Sequence, residues 1–306
     1  MSIDNKIKFV YHNKCKEQMN FGGIMKIIKV FNNNVVNSLD DNNMEVIVLG
    51  SGIGFNRKPG DMVDETKVEK IFRLPGDITD ERKTYFQNLV ESIPYEYIKY
   101  SDEIIGMAAK GLRKKLNRNI YITLTDHIYY AVERYRQNIE VSNAMLHEIR
   151  SFYNPEYLLG LRAVELINEA EKVSLGDDEA AFIALHIVNA EFDVTMNQAM
   201  NMPKMIGDIQ SIVRMSLRRT VREDGIAYER FIVHLKYMLR RTFRNERYPE
   251  GLEDVFELLK DSYPEAFAIA KKIRKYILEK TGNTIPDREI GYLILHLVEV
   301  SRECDG

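Results

Sequence analysis

Apolar positions change their spacing along this chain, and the change separates two kinds of structure. Between residues 25 and 80, short runs of Val and Ile alternate with clusters of Asn and Asp. Lys26–Phe31, Asn34–Asn37 and Glu45–Gly50 read as strands, with a further one near Val68–Leu74, because β-branched residues suit a pleated surface. Asn32-Asn33-Asn34 and Asp40-Asp41-Asn42-Asn43 are turn chemistry. A sheet this small is expected to need a partner sheet to bury its face, which predicts a homodimer. Beyond residue 100 the apolar positions recur every three to four residues, over 101–116, 123–138, 155–171 and 177–192, then 204–221, 227–244, 263–280 and 287–302. All eight stretches predict helices. Asp177 and Asp287 sit where N-cap acceptors belong, and Gly282 marks a helix end because glycine tolerates positive φ. Met196, Asn197, Asn201 and Pro203 interrupt the pattern and predict a boundary near 193–203.

The helical part is one sequence used twice. Asp177-Asp178-Glu179-Ala180-Ala181-Phe182-Ile183-Ala184-Leu185-His186-Ile187-Val188 matches Asp287-Arg288-Glu289-Ile290-Gly291-Tyr292-Leu293-Ile294-Leu295-His296-Leu297-Val298. Upstream, the segment starting at His127 matches the one starting at His234. The paired histidines are 59 residues apart in the first copy and 62 in the second, so an intervening loop differs by three. His147 has no counterpart. Copies of about 100 residues predict two helical bundles rather than a solenoid, whose repeats are shorter.

Composition narrows the class. Hydrophobic residues make up 45% and charged residues 29%, ordinary for a globular protein, and no run of about 18 apolar residues predicts a membrane span. The net charge of −3 gives no broad electrostatic footprint for nucleic acid, so any such recognition must be local. Cys15 and Cys304 are expected to be free thiols in a reducing cytoplasm. Residues 1–24 carry neither periodicity. Gly22-Gly23 can encode a ribosome-binding sequence before Met25, so translation from Met25 is one expectation and a disordered extension, holding His12, is the other.

Four repeated histidines admit several chemistries. Each reads first as a core residue satisfied by a hydrogen bond. A zinc site lacks the i, i+4 pair or C-x-x-C spacing, and a hydrolase lacks the G-x-S-x-G elbow. Neutral imidazole is a nucleophile near pH 7, so phosphoryl acceptance remains. Arg134 and Arg136, and Arg240, Arg241 and Arg244, follow the first histidine of each copy and read as solvated helix faces. In the N-terminal part, Val46-Ile47-Val48-Leu49-Gly50-Ser51-Gly52 imitates a dinucleotide fingerprint, but its third glycine position is Phe55 and Pro59-Gly60 forbids the helix. Gly50, Gly52 and Gly54 read either as a bare backbone surface open to a ligand or as a tight turn with Phe55 in the core. In the first reading Phe55 stacks on bases, Asn32 and Asn34 meet base edges, and Lys29, Arg57 and Lys58 meet phosphates.

Lys26-Ile27-Ile28-Lys29-Val30-Phe31-Asn32-Asn33-Asn34-Val35, Leu49-Gly50-Ser51-Gly52-Ile53-Gly54-Phe55, Lys58-Pro59-Gly60-Asp61, Ile122-Thr123-Leu124-Thr125-Asp126-His127 and Ala184-Leu185-His186-Ile187-Val188-Asn189-Ala190-Glu191 together resemble transcriptional antiterminators of the BglG/LicT/SacY type. The resemblance runs from Met25 to about Glu303. It implies a small antiparallel β-sheet RNA-binding domain (CAT) at 25–80 that dimerises, then two homologous all-α domains (PRDs) at 89–194 and 195–306. It implies binding to a leader RNA hairpin, no enzymatic activity, no cofactor and no membrane insertion. His127 and His186 are implied to be phosphorylated under control of a sugar-specific enzyme II, and His234 and His296 by the phosphocarrier HPr. Implied RNA contacts are Lys29, Asn34, Gly50, Gly52 and Phe55. Ser51 departs from the Arg or Lys of many members, which puts a phosphate contact there in doubt. A β-glucoside operon is the expected target. A DNA-binding PRD regulator is the alternative, but no helix-turn-helix pattern precedes the repeat.

Overall fold

A computed structural model of the chain describes residues 25–40, 42–73, 80–246 and 253–304. Residues 1–24, with His12, Cys15 and the question of the start site, lie outside them. The chain divides into two units, residues 1–96 and 97–306.

The first unit holds a four-stranded antiparallel meander, β1 (Lys26–Asn32), β2 (Val35–Leu39), β3 (Glu45–Leu49) and β4 (Lys70–Arg73), in the order β1-β2-β3-β4. Val36 pairs Val48, which pairs Ile71. Met25, Ile27, Val36, Val46, Val48, Ile53 and Val63 form its core. Val35, Asn37, Ile47 and Leu49 on the opposite face are buried too. The continuous apolar run of β3 is thus that of a strand covered on both sides. The Asp40 carboxylate accepts from the Asn42 and Met44 amides at 2.9 and 3.0 Å, which closes the β2–β3 turn as its composition predicted. Helix α1 (Asp80–Ser92), which the pattern did not reveal, packs beside β1.

The second unit is helical. The first repeat comprises α2 (Tyr95–Leu112, beginning just before the division), α3 (Ile120–Arg136), α4 (Leu146–Phe152), α5 (Asn154–Glu171) and α6 (Asp177–Phe192). The second comprises α7 (Met196–Leu217), α8 (Ile226–Phe243), α9 (Glu253–Ser262), α10 (Pro264–Thr281) and α11 (Asp287–Glu303). In each repeat the last two helices pack as a hairpin, and the last also lies against the second, α6 on α3 and α11 on α8.

Two local predictions need correction. Gly176 and Pro286, not Asp177 and Asp287, occupy the N-cap positions, and the aspartates stand in the first turn, where negative charge suits the helix dipole. The stretch from Met196 to Pro203 does not break the pattern. It is the start of α7, capped by Thr195, whose hydroxyl accepts from the Gln198 amide while the Gln198 side chain accepts from the Thr195 amide.

Candidate functional site

The fold brings each histidine pair together. His127 on α3 and His186 on α6 have ring centroids 4.9 Å apart, and His234 on α8 and His296 on α11 are 4.8 Å apart. An aromatic ring lies against the first histidine of each pair, Phe182 at 5.8 Å from His127 and Tyr292 at 6.0 Å from His234. His147 is exposed.

A carboxylate and an arginine complete each pair. His127 Nε2 lies 3.0 Å from Glu179 Oε2, and Arg134 Nη2 lies 2.9 Å from Glu179 Oε1. His234 Nε2 lies 3.4 Å from Glu289 Oε2, and Arg241 Nη2 lies 3.1 Å from Glu289 Oε1. Arg134 and Arg241 are therefore bound to buried glutamates rather than standing on solvated faces. Glu179 and Glu289 are the residues that reading the histidines alone misses. Their signal is a spacing: His127–Arg134, Glu179–His186, His234–Arg241 and Glu289–His296 are each seven apart, two turns along one helix face.

Burial sets the charge states. It pushes His186 well below the ordinary histidine value, with His127 adding to the shift. His234 falls to about 3, through burial first, then His296 and Arg241. His296 is lowered by burial and by Arg230. These three rings are neutral at pH 7 and keep the lone pair a nucleophile needs. Burial works to raise Glu179, but the nearby His127 ring and Arg134 outweigh it and lower its pKa. Burial wins at Glu289, which is raised although Arg241 opposes it.

In the first unit the glycine turn is stitched from inside. The Gly52 amide donates to Asn34 Oδ1 at 2.8 Å, and the Ser51 amide to Glu69 Oε1 at 3.0 Å. Asn32 Oδ1 accepts from the Asn34 amide at 2.9 Å and its Nδ2 donates to the Val90 carbonyl of α1 at 3.0 Å, so Asn32 ties the turn to α1. A Cβ on Gly50 would stand 1.8 Å from the Lys67 carbonyl oxygen, and one on Gly54 2.3 Å from that of Asn32. These two glycines admit neighbouring backbone and do not form a bare surface. Phe55 is 58% exposed, so it is not part of the core. Lys29 is paired with Glu91 and lies 4.9 Å over the Phe31 ring. Lys67, absent from the sequence reading, donates from Nζ to the Gly52 carbonyl at 3.2 Å and places an ammonium beside the turn.

Among the described residues no group of three or more His, Cys, Asp and Glu side chains is arranged to hold a metal ion, and no helix is long and apolar enough to cross a membrane.

The chain thus combines a small sheet with a stitched turn and twinned helical modules, each holding a histidine pair. Residues 25–81 match the family model of the CAT RNA binding domain, and residues 102–190 and 207–300 each match that of the PRD domain. The transcription antiterminator LicT of Bacillus subtilis is 38% identical over 280 residues, 91% of this chain and all of that protein. The β-glucoside operon antiterminator of Dickeya chrysanthemi is 35% identical, over 91% of this chain and 98% of its own length. A crystal structure of GlcT CAT-PRDI is 32% identical, with a TM-score of 0.48 over 55% of this chain and 99% of that one. The chain belongs to the CAT–PRD family of transcription antiterminators. The RNA-binding match favours this membership over the DNA-binding alternative.

Proposed function

We propose that the chain binds a hairpin in the leader RNA of a β-glucoside operon, keeps the overlapping terminator from forming, and is switched by phosphoryl groups on its four histidines. The protein works as a cytoplasmic homodimer and regulator, not as an enzyme, with its parts divided at 25–80, 89–194 and 195–306. His234 and His296 take phosphate from HPr, which activates. His127 and His186 are modified under control of the sugar-specific enzyme II, which inactivates. Lys29, Asn34, Ser51, Gly52 and Phe55 face the RNA, Asn32 and Gly50 hold the turn in shape, and Lys67 supplies the cation that Ser51 lacks.

The observation that carries this reading is the same histidine–histidine–glutamate–arginine set built twice, behind an RNA-binding domain. A charge of nearly two on one ring of such a pair strongly perturbs a helix–helix contact. The test is binding of the full chain to the leader RNA of a β-glucoside operon. His→Asp at 234 and 296 is expected to raise affinity, and His→Asp at 127 and 186 to lower it, each by about tenfold out of the roughly 5.5 kcal/mol of a complete switch. If neither Ala nor Asp at any of the four positions changes RNA binding or dimerisation, the reading fails.

A further inference from the structure

In both repeats a carboxylate stands where a phosphorylated ring needs its own anion to be. The Nε2 atoms of His127 and His234 are buried, and each lies against a glutamate that also holds an arginine: Arg134 on the other oxygen of Glu179, and Arg241 at 3.1 and 3.2 Å from the two oxygens of Glu289. The side chains of Glu179 and Glu289 are only 11% and 2% exposed. A carboxylate set between an imidazole and a guanidinium has the charge sign and hydrogen-bonding reach of a phosphoryl group carried by that imidazole. The two anions repel in a site this dry, and one arginine does not serve both.

We propose that Glu179 and Glu289 are resident substitutes for the phosphoryl group, displaced when His127 and His234 are modified at Nε2, with Arg134 and Arg241 passing from carboxylate to phosphate. This rests on the phosphoacceptor reading and deepens it. In the transfer, the phosphorus–nitrogen bond of a donor phosphohistidine breaks as the bond to Nε2 forms. One proton of the acceptor ring passes to the donor's nitrogen, so both proteins end with a neutral imidazole framework. The unmodified Nε2 is covered by an anion, so withdrawal of the carboxylate lies on the path. Glu179 and Glu289 are positioning residues and not acceptors.

The displacement has a mechanical consequence. Both glutamates lie in the first turn of their helices, α6 and α11, and the second histidine of each pair lies two turns further on the same helix. In the first repeat that turn is also tied to the chain before α4, since the Asn143 amide donates to Asp178 at 2.6 Å. Modifying His127 therefore unseats the start of α6 from α3 and carries His186 with it, and modifying His234 does the same to α11 and His296.

The experiment uses the full-length chain and potassium phosphoramidate, a small-molecule phosphoryl donor to histidine. Labelling is followed by intact and peptide mass, and the ring isomer is assigned by NMR. Glu179→Gln and Glu289→Gln are expected to speed labelling of their own histidine about tenfold, by removing one like-charge repulsion. Glu179→Asp and Glu289→Asp, which keep the charge but disturb the packing, are expected to stay slow, whereas a merely structural role makes Asp and Gln act alike. Arg134→Gln and Arg241→Gln are expected to shorten the lifetime of the phosphohistidine. Label on Nδ1, or glutamine variants no faster than a wild type that labels normally, overturns this proposal alone. A wild type that takes no label on any of the four histidines overturns the phosphoacceptor reading, and this proposal with it.

Discussion

Gly54 shows how much one position can depend on what lies across from it. Its missing side chain leaves room for the Asn32 carbonyl, 2.3 Å from where a Cβ would be, and Val30 and Val36 close the remaining space at 3.0 and 3.2 Å. Gly54→Ala is expected to cost about 1–3 kcal/mol through backbone displacement, read by urea unfolding of the first unit, with RNA binding lost in parallel. The sequence offered two readings of these glycines and Phe55, and the outcome mixes them: a tight turn, with Phe55 exposed. Spacing alone does not tell which backbone comes close, because the Lys67 carbonyl that fills the space at Gly50 is 17 residues away. Lys67 was illegible for the same reason. Lys67→Gln is expected to weaken leader-RNA binding and to reduce the slope of affinity against salt by about one counterion, measured by titration across salt concentrations.

At the scale of elements, Pro203 is the instructive case. A proline inside a helix removes the donor that would bond the carbonyl four residues back, here Ala199, and this is why the pattern reads as a boundary. The orphaned carbonyl accepts instead from the buried Tyr153 hydroxyl at 3.2 Å, contributed by the other repeat. The missing bond is supplied through space, so α7 runs on for 22 residues. Tyr153→Phe is expected to destabilise the chain by about 1–3 kcal/mol, by leaving that carbonyl buried and unpaired. Adding Pro203→Ala restores a local donor and is expected to recover part of the loss. A double-mutant cycle in thermal unfolding that shows no coupling between these sites contradicts this account. Helices α1, α4 and α9 escaped detection because each is short or weakly periodic, and their apolar faces are defined by partners distant in sequence.

Within the helical unit, the two repeats meet at a partly buried cluster of charged residues. Lys114 pairs with Glu191 and donates to the Tyr237 hydroxyl, the Glu156 carboxyl stands beside that of Glu191, and Lys236 donates to the Phe152 carbonyl. Arg240 reaches the Phe192 carbonyl at 3.0 Å and Arg244 reaches Asp193 at 2.8 Å. Helix α8 thus has two jobs: His234 and Arg241 face α11, while Lys236, Arg240 and Arg244 hold the first repeat. Burial, then the neighbouring Glu191 carboxyl, raises Glu156 to about 7. The folded state therefore binds this proton more tightly than the unfolded chain. Its contribution is complete below the ordinary carboxylate value and is lost as pH rises through about 7. The difference in Tm between wild type and Glu156→Gln is expected to move in favour of the variant between pH 5 and 8, by several degrees at about 2–4 °C per kcal/mol. A difference that does not change with pH places the proton elsewhere.

Periodicity and self-similarity by themselves determined the order of sheet and helices, the duplication, and the four histidines that recur in it. Those properties are local or repeated, so each is written in a short window of sequence. Tertiary structure alone decided that the histidines meet in pairs, that a glutamate stands beside the first of each, and that the arginines serve it. It also decided that the glycines of the turn make room for backbone. In each of these cases the deciding neighbour is brought in by packing from a different element, and no window of sequence contains both partners.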